Sequence, residues 1–160
     1  MEINNETLFI FEIANNHQGS LSHGVKIIEA LAKVTKRFGI KSCVKLQYRD
    51  LNSIIHKDYR SSDIKHIKRF NETRLEDHEF KTLVNKIKEN GMITMCTPFD
   101  ENSVDKILNH GIDIIKVASC SANDWPLLEK ITKQKNDVIC STGGLNIQDI
   151  DFEVKTIFTT

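Results

Sequence analysis

Lys45 lies in the run VKLQ and Lys116 in the run IIKVAS, each an ammonium group among apolar, largely β-branched neighbours. An ammonium in such surroundings is costly unless an anion accompanies it. Strand alternation places Lys45 and Gln47 on one face and Val44 and Leu46 on the other. A second polar cluster, EIANNHQGS, directly follows apolar LFIF and supplies Glu12, Asn15, Asn16 and His17. Thr97 falls near the end of MITMCTPF, Ser119 follows Lys116 by three residues, and Ser141 and Thr142 open STGG. Hydroxyls followed by two glycines ahead of a helix suit a phosphate, because backbone N–H and hydroxyl donors can surround it there. Two lysines, several hydroxyls and a glycine turn describe a site for a small phosphorylated or carboxylated ligand.

Each of these residues also has a plainer use. Lys45 could pair with Glu12 as a structural ion pair, and His17 could fix its own loop by hydrogen bonding. Either lysine could instead act as the Schiff-base amine of an aldolase, since desolvation lowers a lysine pKa. What favours a ligand site is recurrence: polar residues stand at the end of every apolar run.

Those runs, at 8–14, 42–48, 92–99, 112–119 and 137–142, read as strands. Amphipathic stretches separate them. Ile27, Ile28, Leu31, Val34 and Phe38 recur at helical spacing before Gly39. Thr73 and Glu76 fit a capping box ahead of Phe80, Leu83, Val84 and Ile87, with Gly91 closing the helix. A third helix runs from near Asp100 to Gly111, a fourth has Pro126 in its first turn, and a fifth begins near Ile147. Alternating strands and helices imply right-handed βαβ crossovers and a parallel sheet. Five such units fit an open doubly wound sheet or part of an eight-fold barrel, and no GxGxxG follows the first strand. In either case the strands' C-terminal ends gather at one mouth. The connection 49–72 is long and basic, with Lys57, Arg60, Lys65, Lys68 and Arg69; it reads as a solvated excursion with a short helix, or as a lid that attracts an anion.

The bulk properties exclude several classes. With 160 residues, 39% hydrophobic and 28% charged, the chain can bury one core, and its formal net charge of zero points to neither nucleic acid nor a membrane surface. No apolar stretch is long enough for a span and the N-terminus lacks a signal-peptide pattern, so a cytoplasmic location is expected. Cys43, Cys96, Cys120 and Cys140 are too widely spaced for a CxxC pair, and no two of the six histidines have a ligand spacing, so no metal site can be assembled.

In order, EIANNHQG, VKLQ, TPFD, KVASCSANDWPLLE and STGG closely resemble the motifs of the sialic acid (N-acetylneuraminate) synthase family across nearly the whole chain. The resemblance implies an α/β fold of the parallel (β/α)8 TIM-barrel type. Residues 1–160 would form its N-terminal part, about five βα units, without the later barrel strands and the dimer-completing antifreeze-like domain. It implies condensation of phosphoenolpyruvate with an N-acetylated amino sugar, release of phosphate, and a homo-oligomer. A divalent metal, Mn or Mg, is also implied; it would polarise the aldehyde, and its ligands lie outside this chain. Carried over by position, Lys45, Thr97, Lys116, Ser119 and Ser141 would hold phosphoenolpyruvate, and Glu12 would act at the reacting end. Asn16, His17, Gln47 and Thr142 would contribute to substrate binding. Ser121 stands where an acidic residue is common and Gly144 where methionine is usual. Five strands leave two unpaired edges, so the chain alone is expected to be inactive. A non-catalytic half-barrel that binds a phosphorylated ligand or pairs with another chain is the alternative.

Overall fold

A computed structural model describes residues 7–157. Its sheet holds five strands: β1 (Leu8–Glu12), β2 (Lys41–Tyr48), β3 (Ile93–Pro98), β4 (Ile114–Val117) and β5 (Asp137–Cys140). They are all parallel and stand in the order β1-β2-β3-β4-β5. A doubly wound sheet reverses its strand order at a switch point, whereas a barrel adds each strand beside the last. The unreversed order therefore selects the barrel, of which these are five βα units. Right-handed crossovers that all progress in one direction must leave every helix on the same side.

Helix α1 (Leu21–Phe38) joins β1 to β2. Beyond β2 come α2 (Leu51–Ile54), a 3-10 turn at Lys57–Tyr59, α3 (Lys65–Glu72) and α4 (Asp77–Glu89). Helices α5 (Glu101–His110), α6 (Trp125–Thr132) and α7 (Ile147–Ile157) follow β3, β4 and β5. The apolar stripes of α1, α4, α5 and α6 meet one face of the sheet in a continuous core: Ile28, Leu83, Val84, Ile87, Val104, Ile107, Leu127 and Ile131 pack with Val44, Leu46, Cys96, Ile115 and Val117. The opposite face carries only strand residues, a smaller cluster of Cys43, Met95 and Ile114 flanked by Leu8 and Ile93. This is the inner face of the half-barrel. Ile10 and Ile139, from the two edge strands, are 44% and 37% exposed.

The helix boundaries follow local chemistry. Ser20 caps α1, its Oγ accepting from His23 N at 3.3 Å, and Gly39 ends it in the left-handed region at φ 59°. Asn146 and Asp149 cap α7 reciprocally: Asp149 N donates to Asn146 Oδ1 at 2.9 Å and Asn146 N to Asp149 Oδ2 at 3.3 Å. The expected Thr73–Glu76 box does not form. Thr73 Oγ1 donates to Arg69 O at 2.7 Å, closing α3, and the box sits three residues later, with Glu76 N donating to Glu79 Oε2 at 2.8 Å. An acidic residue can take the cap position as Thr can, and the sequence carries both in one register.

Gly19 ties the loop after β1 to the loop before α4. Its φ is +69°, and a Cβ there would lie 2.6 Å from the backbone oxygen of Glu72. Gly19→Ala should therefore lower unfolding stability by about 2 kcal/mol or more. Gly39→Ala, with the same sense of φ but open space around it, should cost only about 1 kcal/mol. Urea midpoints of the two variants check this, and equal losses would contradict the close-approach account.

Candidate functional site at the strand ends

Register sets the site. Glu12 pairs with Lys45, Gln47 with Thr97 and Lys116 with Ile139, so Glu12, Lys45, Gln47, Thr97 and Lys116 all lie on the inner face with the Cys43–Met95–Ile114 cluster. Along this face Ile10, Cys43, Met95 and Ile114 are followed, two residues on towards the C-terminal ends, by Glu12, Lys45, Thr97 and Lys116. The strands stop earlier than their apolar runs suggest: β4 ends at Val117 and β5 at Cys140, leaving Ser119, Ser141 and Thr142 in the following loops.

The side chains form two bonded groups, one around each lysine. Lys45 Nζ pairs with the Glu12 carboxylate and donates to Thr97 Oγ1 at 3.4 Å. Lys116 Nζ donates to Val117 O at 2.8 Å and to Ser141 Oγ. The ion pair between Lys45 and Glu12 is therefore present, and it lies within the cluster. Burial, and next the positive charge of Lys45, hold the Lys116 pKa below the usual lysine value, against opposing effects of Cys140 and Glu12. Lys116 makes no ion pair among the described residues; its hydrogen bonds run to neutral oxygens. This is the arrangement that gains most from an incoming anion.

Ser119 lies against the glycine turn that follows Ser141. It is exposed in a 3-10 turn (Ser119–Ser121), and its Oγ would lie 2.8 Å from a Cβ placed on Gly143, so the glycine turn presses against it. Ser121 in the same turn is buried, with Cys120 Sγ 3.9 Å from its hydroxyl.

The remaining candidates are placed differently. Asn16 and Thr142 are exposed, and no hydrogen bond links their side chains to the lysine cluster. Gln47 is on the cup face, but its Oε1 accepts from Arg49 Nη2 at 2.7 Å. His17 is buried; its Nδ1 accepts from Gly19 N at 3.2 Å and its ring lies edge-on to Phe80. The structure thus uses His17 to fix its loop. That loop is strained, with Ala14 and Gln18 at φ 47° and 54°.

Burial lowers the His17 pKa below the ordinary histidine value of 6.5, with the charge of Glu79 opposing and that of His23 assisting. Below about pH 6.5 the unfolded chain binds a proton that the folded chain still refuses, so stability must fall as pH drops from 6.5 towards the folded pKa. His17→Gln should flatten the pH dependence of the urea midpoint below pH 6.5. An unchanged slope in the variant would contradict the assignment.

Two features were not anticipated from the sequence. Arg49 stacks on the rings of Phe70 and Phe99, with its guanidinium carbon 4.8 and 4.0 Å from their centroids. Its position four residues after Lys45 and two after Gln47 continues the same period-two face, a signal that could have found it. On the other face, Tyr48 Oη and His110 Nδ1 are 2.9 Å apart, and His110 Nε2 lies 3.3 Å from Asp77 Oδ2. Asp100 of TPFD caps the helix expected to begin near it, and does so from a buried position.

The described residues contain no group of three His, Cys, Asp or Glu side chains able to hold a metal ion. Two ammonium groups at the mouth also repel a cation, and the Glu12 carboxylate is already engaged, so these residues do not by themselves fit the implied divalent ion. No helix among the described residues is long and apolar enough to cross a membrane.

Comparison with known proteins agrees with this architecture. The chain is 28% identical over 152 residues to the N,N'-diacetyllegionaminic acid synthase of Campylobacter jejuni, covering 91% of this chain and 45% of that protein. It is 29% identical over 158 residues to the N-acetylneuraminate-9-phosphate synthase of Drosophila melanogaster, covering 92% and 41%. A solved structure of the spore coat polysaccharide biosynthesis protein E type from Chromobacterium violaceum superposes with a TM-score of 0.89 at 48% identity, over 94% of this chain and 45% of that one. The chain thus spans less than half the length of these relatives. Residues 31–160 match the model of the NeuB family, and with that match over most of its length the chain belongs to the NeuB family.

Proposed function

We propose that the inner-face cup binds phosphoenolpyruvate and serves its condensation with an N-acetylated amino sugar to give a sialic-acid-like nonulosonic acid. The observation that carries this is the convergence of Lys45, Thr97, Lys116 and Ser141 at the strand ends, with Lys116 desolvated and lacking a carboxylate partner. The two ammonium groups would offset the charge of phosphate and carboxylate, while the hydroxyls fix their orientation. The enol carbon would then face the end of the cup marked by Glu12. Its attack on the sugar aldehyde forms one carbon–carbon bond, and water enters as phosphate leaves. The divalent cation implied for this chemistry would draw its ligands from beyond residues 7–157. Calorimetric titration of the chain tests the first step: phosphoenolpyruvate should bind at least about tenfold more tightly than pyruvate, since each charge-assisted contact to the phosphate contributes about 1.5–3 kcal/mol. Equal affinities would contradict the reading.

The depressed pKa of Lys116 also suits an amine nucleophile, which is the aldolase reading. Borohydride reduction in the presence of pyruvate separates the two, because the condensation route forms no imine and should leave the lysine unmodified. The exposed Ile10 and Ile139 on the inner face, with β1 and β5 as open edges, favour completion of the barrel by further strands.

A further inference from the structure

Beside the cup lies a second, small cavity, partly open to solvent and lined among others by Asn15, Gln47, Arg49, Phe70, Thr73 and Arg74. Arg49 is half-buried, stacked on Phe70 and Phe99, and donates one of its five N–H groups to Gln47. It makes no ion pair among the described residues. Burial, and next the charge of Arg69, lower its pKa below the usual arginine value. Arg74 stands on the rim, half exposed, with its Nε 3.2 Å from Glu76 Oε1. A guanidinium packed over two rings keeps a restricted fork of donors, the geometry that grips a phosphate or carboxylate in two places.

We infer that Arg49 and Arg74 form an oxyanion subsite, separate from the lysine cup, for a phosphate or carboxylate carried by the acceptor sugar at the end remote from its aldehyde. Gln47 connects the two, two residues beyond Lys45 and paired in register with Thr97. Along an extended chain Lys45 and Arg49 are roughly 13 Å apart, a reach that a six-carbon chain with a terminal oxyanion can bridge from the cup. The aldehyde would then face bound phosphoenolpyruvate while the oxyanion rests on Arg49. Phe70 belongs to α3, so the long basic connection after β2 folds back to wall this cavity and adds the charge of Arg69. The inference rests on the proposed reading of the cup, and it makes the acceptor an anionic sugar rather than a neutral one.

The test is a set of titrations of the full chain with N-acetylmannosamine, its 6-phosphate, the corresponding 6-carboxylate and inorganic phosphate, alongside phosphoenolpyruvate. The 6-phosphate or the 6-carboxylate should bind at least about tenfold more tightly than the neutral sugar, as expected for one paired guanidinium contact; which of them binds better identifies the oxyanion. Arg49→Lys keeps the charge without the fork, and Arg74→Gln changes only a half-exposed rim residue. Each should reduce the preference for the charged sugar several-fold, and Arg74→Gln should leave phosphoenolpyruvate affinity unchanged. Binding of the neutral sugar as tight as that of both charged forms would overturn the inference. So would a preference that survives both arginine substitutions or is abolished by Lys116→Met, since the oxyanion would then occupy the cup. Failure of phosphoenolpyruvate to bind, with the arginine-dependent preference intact, would remove the proposed function and leave the subsite standing.

Discussion

Lys116→Met should weaken phosphoenolpyruvate binding by about 10- to 100-fold, the loss of one or two charge-assisted hydrogen bonds, while leaving the fold as stable as before or slightly more so. The two effects have one cause. In the unliganded protein the Lys116 ammonium is partly withdrawn from water, faces the positive charge of Lys45, and has only Val117 O and Ser141 Oγ as hydrogen-bond partners. A methionine of similar length fills the space without that desolvation cost. A lysine kept for structure would behave oppositely, with stability falling and ligand affinity unmoved. Lys45 differs, because its ion pair with Glu12 and its bond to Thr97 give it a structural share. Lys45→Met should lower both affinity and stability. Calorimetry and urea midpoints on the same pair of variants distinguish the two roles.

Asp100→Ala should cost about 3 kcal/mol of stability, the largest loss expected from a single side chain outside the apolar core. The carboxylate is 5% exposed and accepts three hydrogen bonds: from Ser103 N at 2.7 Å, Ser103 Oγ at 2.8 Å and Asp50 N at 2.7 Å. Removing it uncaps α5 and leaves at least two backbone N–H groups without partners. The bond to Asp50 also anchors the chain just after Arg49, so the loss reaches the second cavity. Asp50 makes an instructive comparison: it caps the short α2 through Asn52 N at 3.1 Å and accepts from Asn102 Nδ2 at 2.8 Å, but in a more exposed setting. Asp50→Ala should cost about 1 kcal/mol. Chemical denaturation measures both, and similar losses would contradict the weight given to burial.

Much of this arrangement can be read in the residues themselves. The five strands and their helices follow from periodicity, since every apolar run is short, β-branched and bounded by caps or glycines. The convergence of Lys45, Thr97, Lys116 and Ser141 follows from one rule, that parallel strands end together. Periodicity could not choose between an open sheet and a barrel, because strand order is a long-range property and both folds share the same local units. The order β1 to β5 without reversal decides it. Local ambiguity explains the misplaced capping box, where Thr73 and Glu76 are both competent caps and tertiary contacts select the second. His17 illustrates a different limit. Its neighbours in sequence are polar, yet the left-handed turn at Gln18 and Gly19 rotates it beneath Phe80. Arg49 was hidden because residues 49–72 read as one basic, solvated excursion, although its spacing from Lys45 and Gln47 placed it on the cup's own face. Only the return of Phe70 over the end of β2 makes it a stacked, half-buried group.

The central claim is that neighbouring strand ends build one oxyanion cup, and a structure of the chain with phosphoenolpyruvate bound tests it most directly. The phosphate should lie within hydrogen-bonding distance of Lys116 Nζ and Ser141 Oγ, with Lys45 Nζ and Thr97 Oγ1 reaching the same molecule. A ligand seated on the helix side of the sheet, or on the inner face but out of reach of both lysines, would contradict the account.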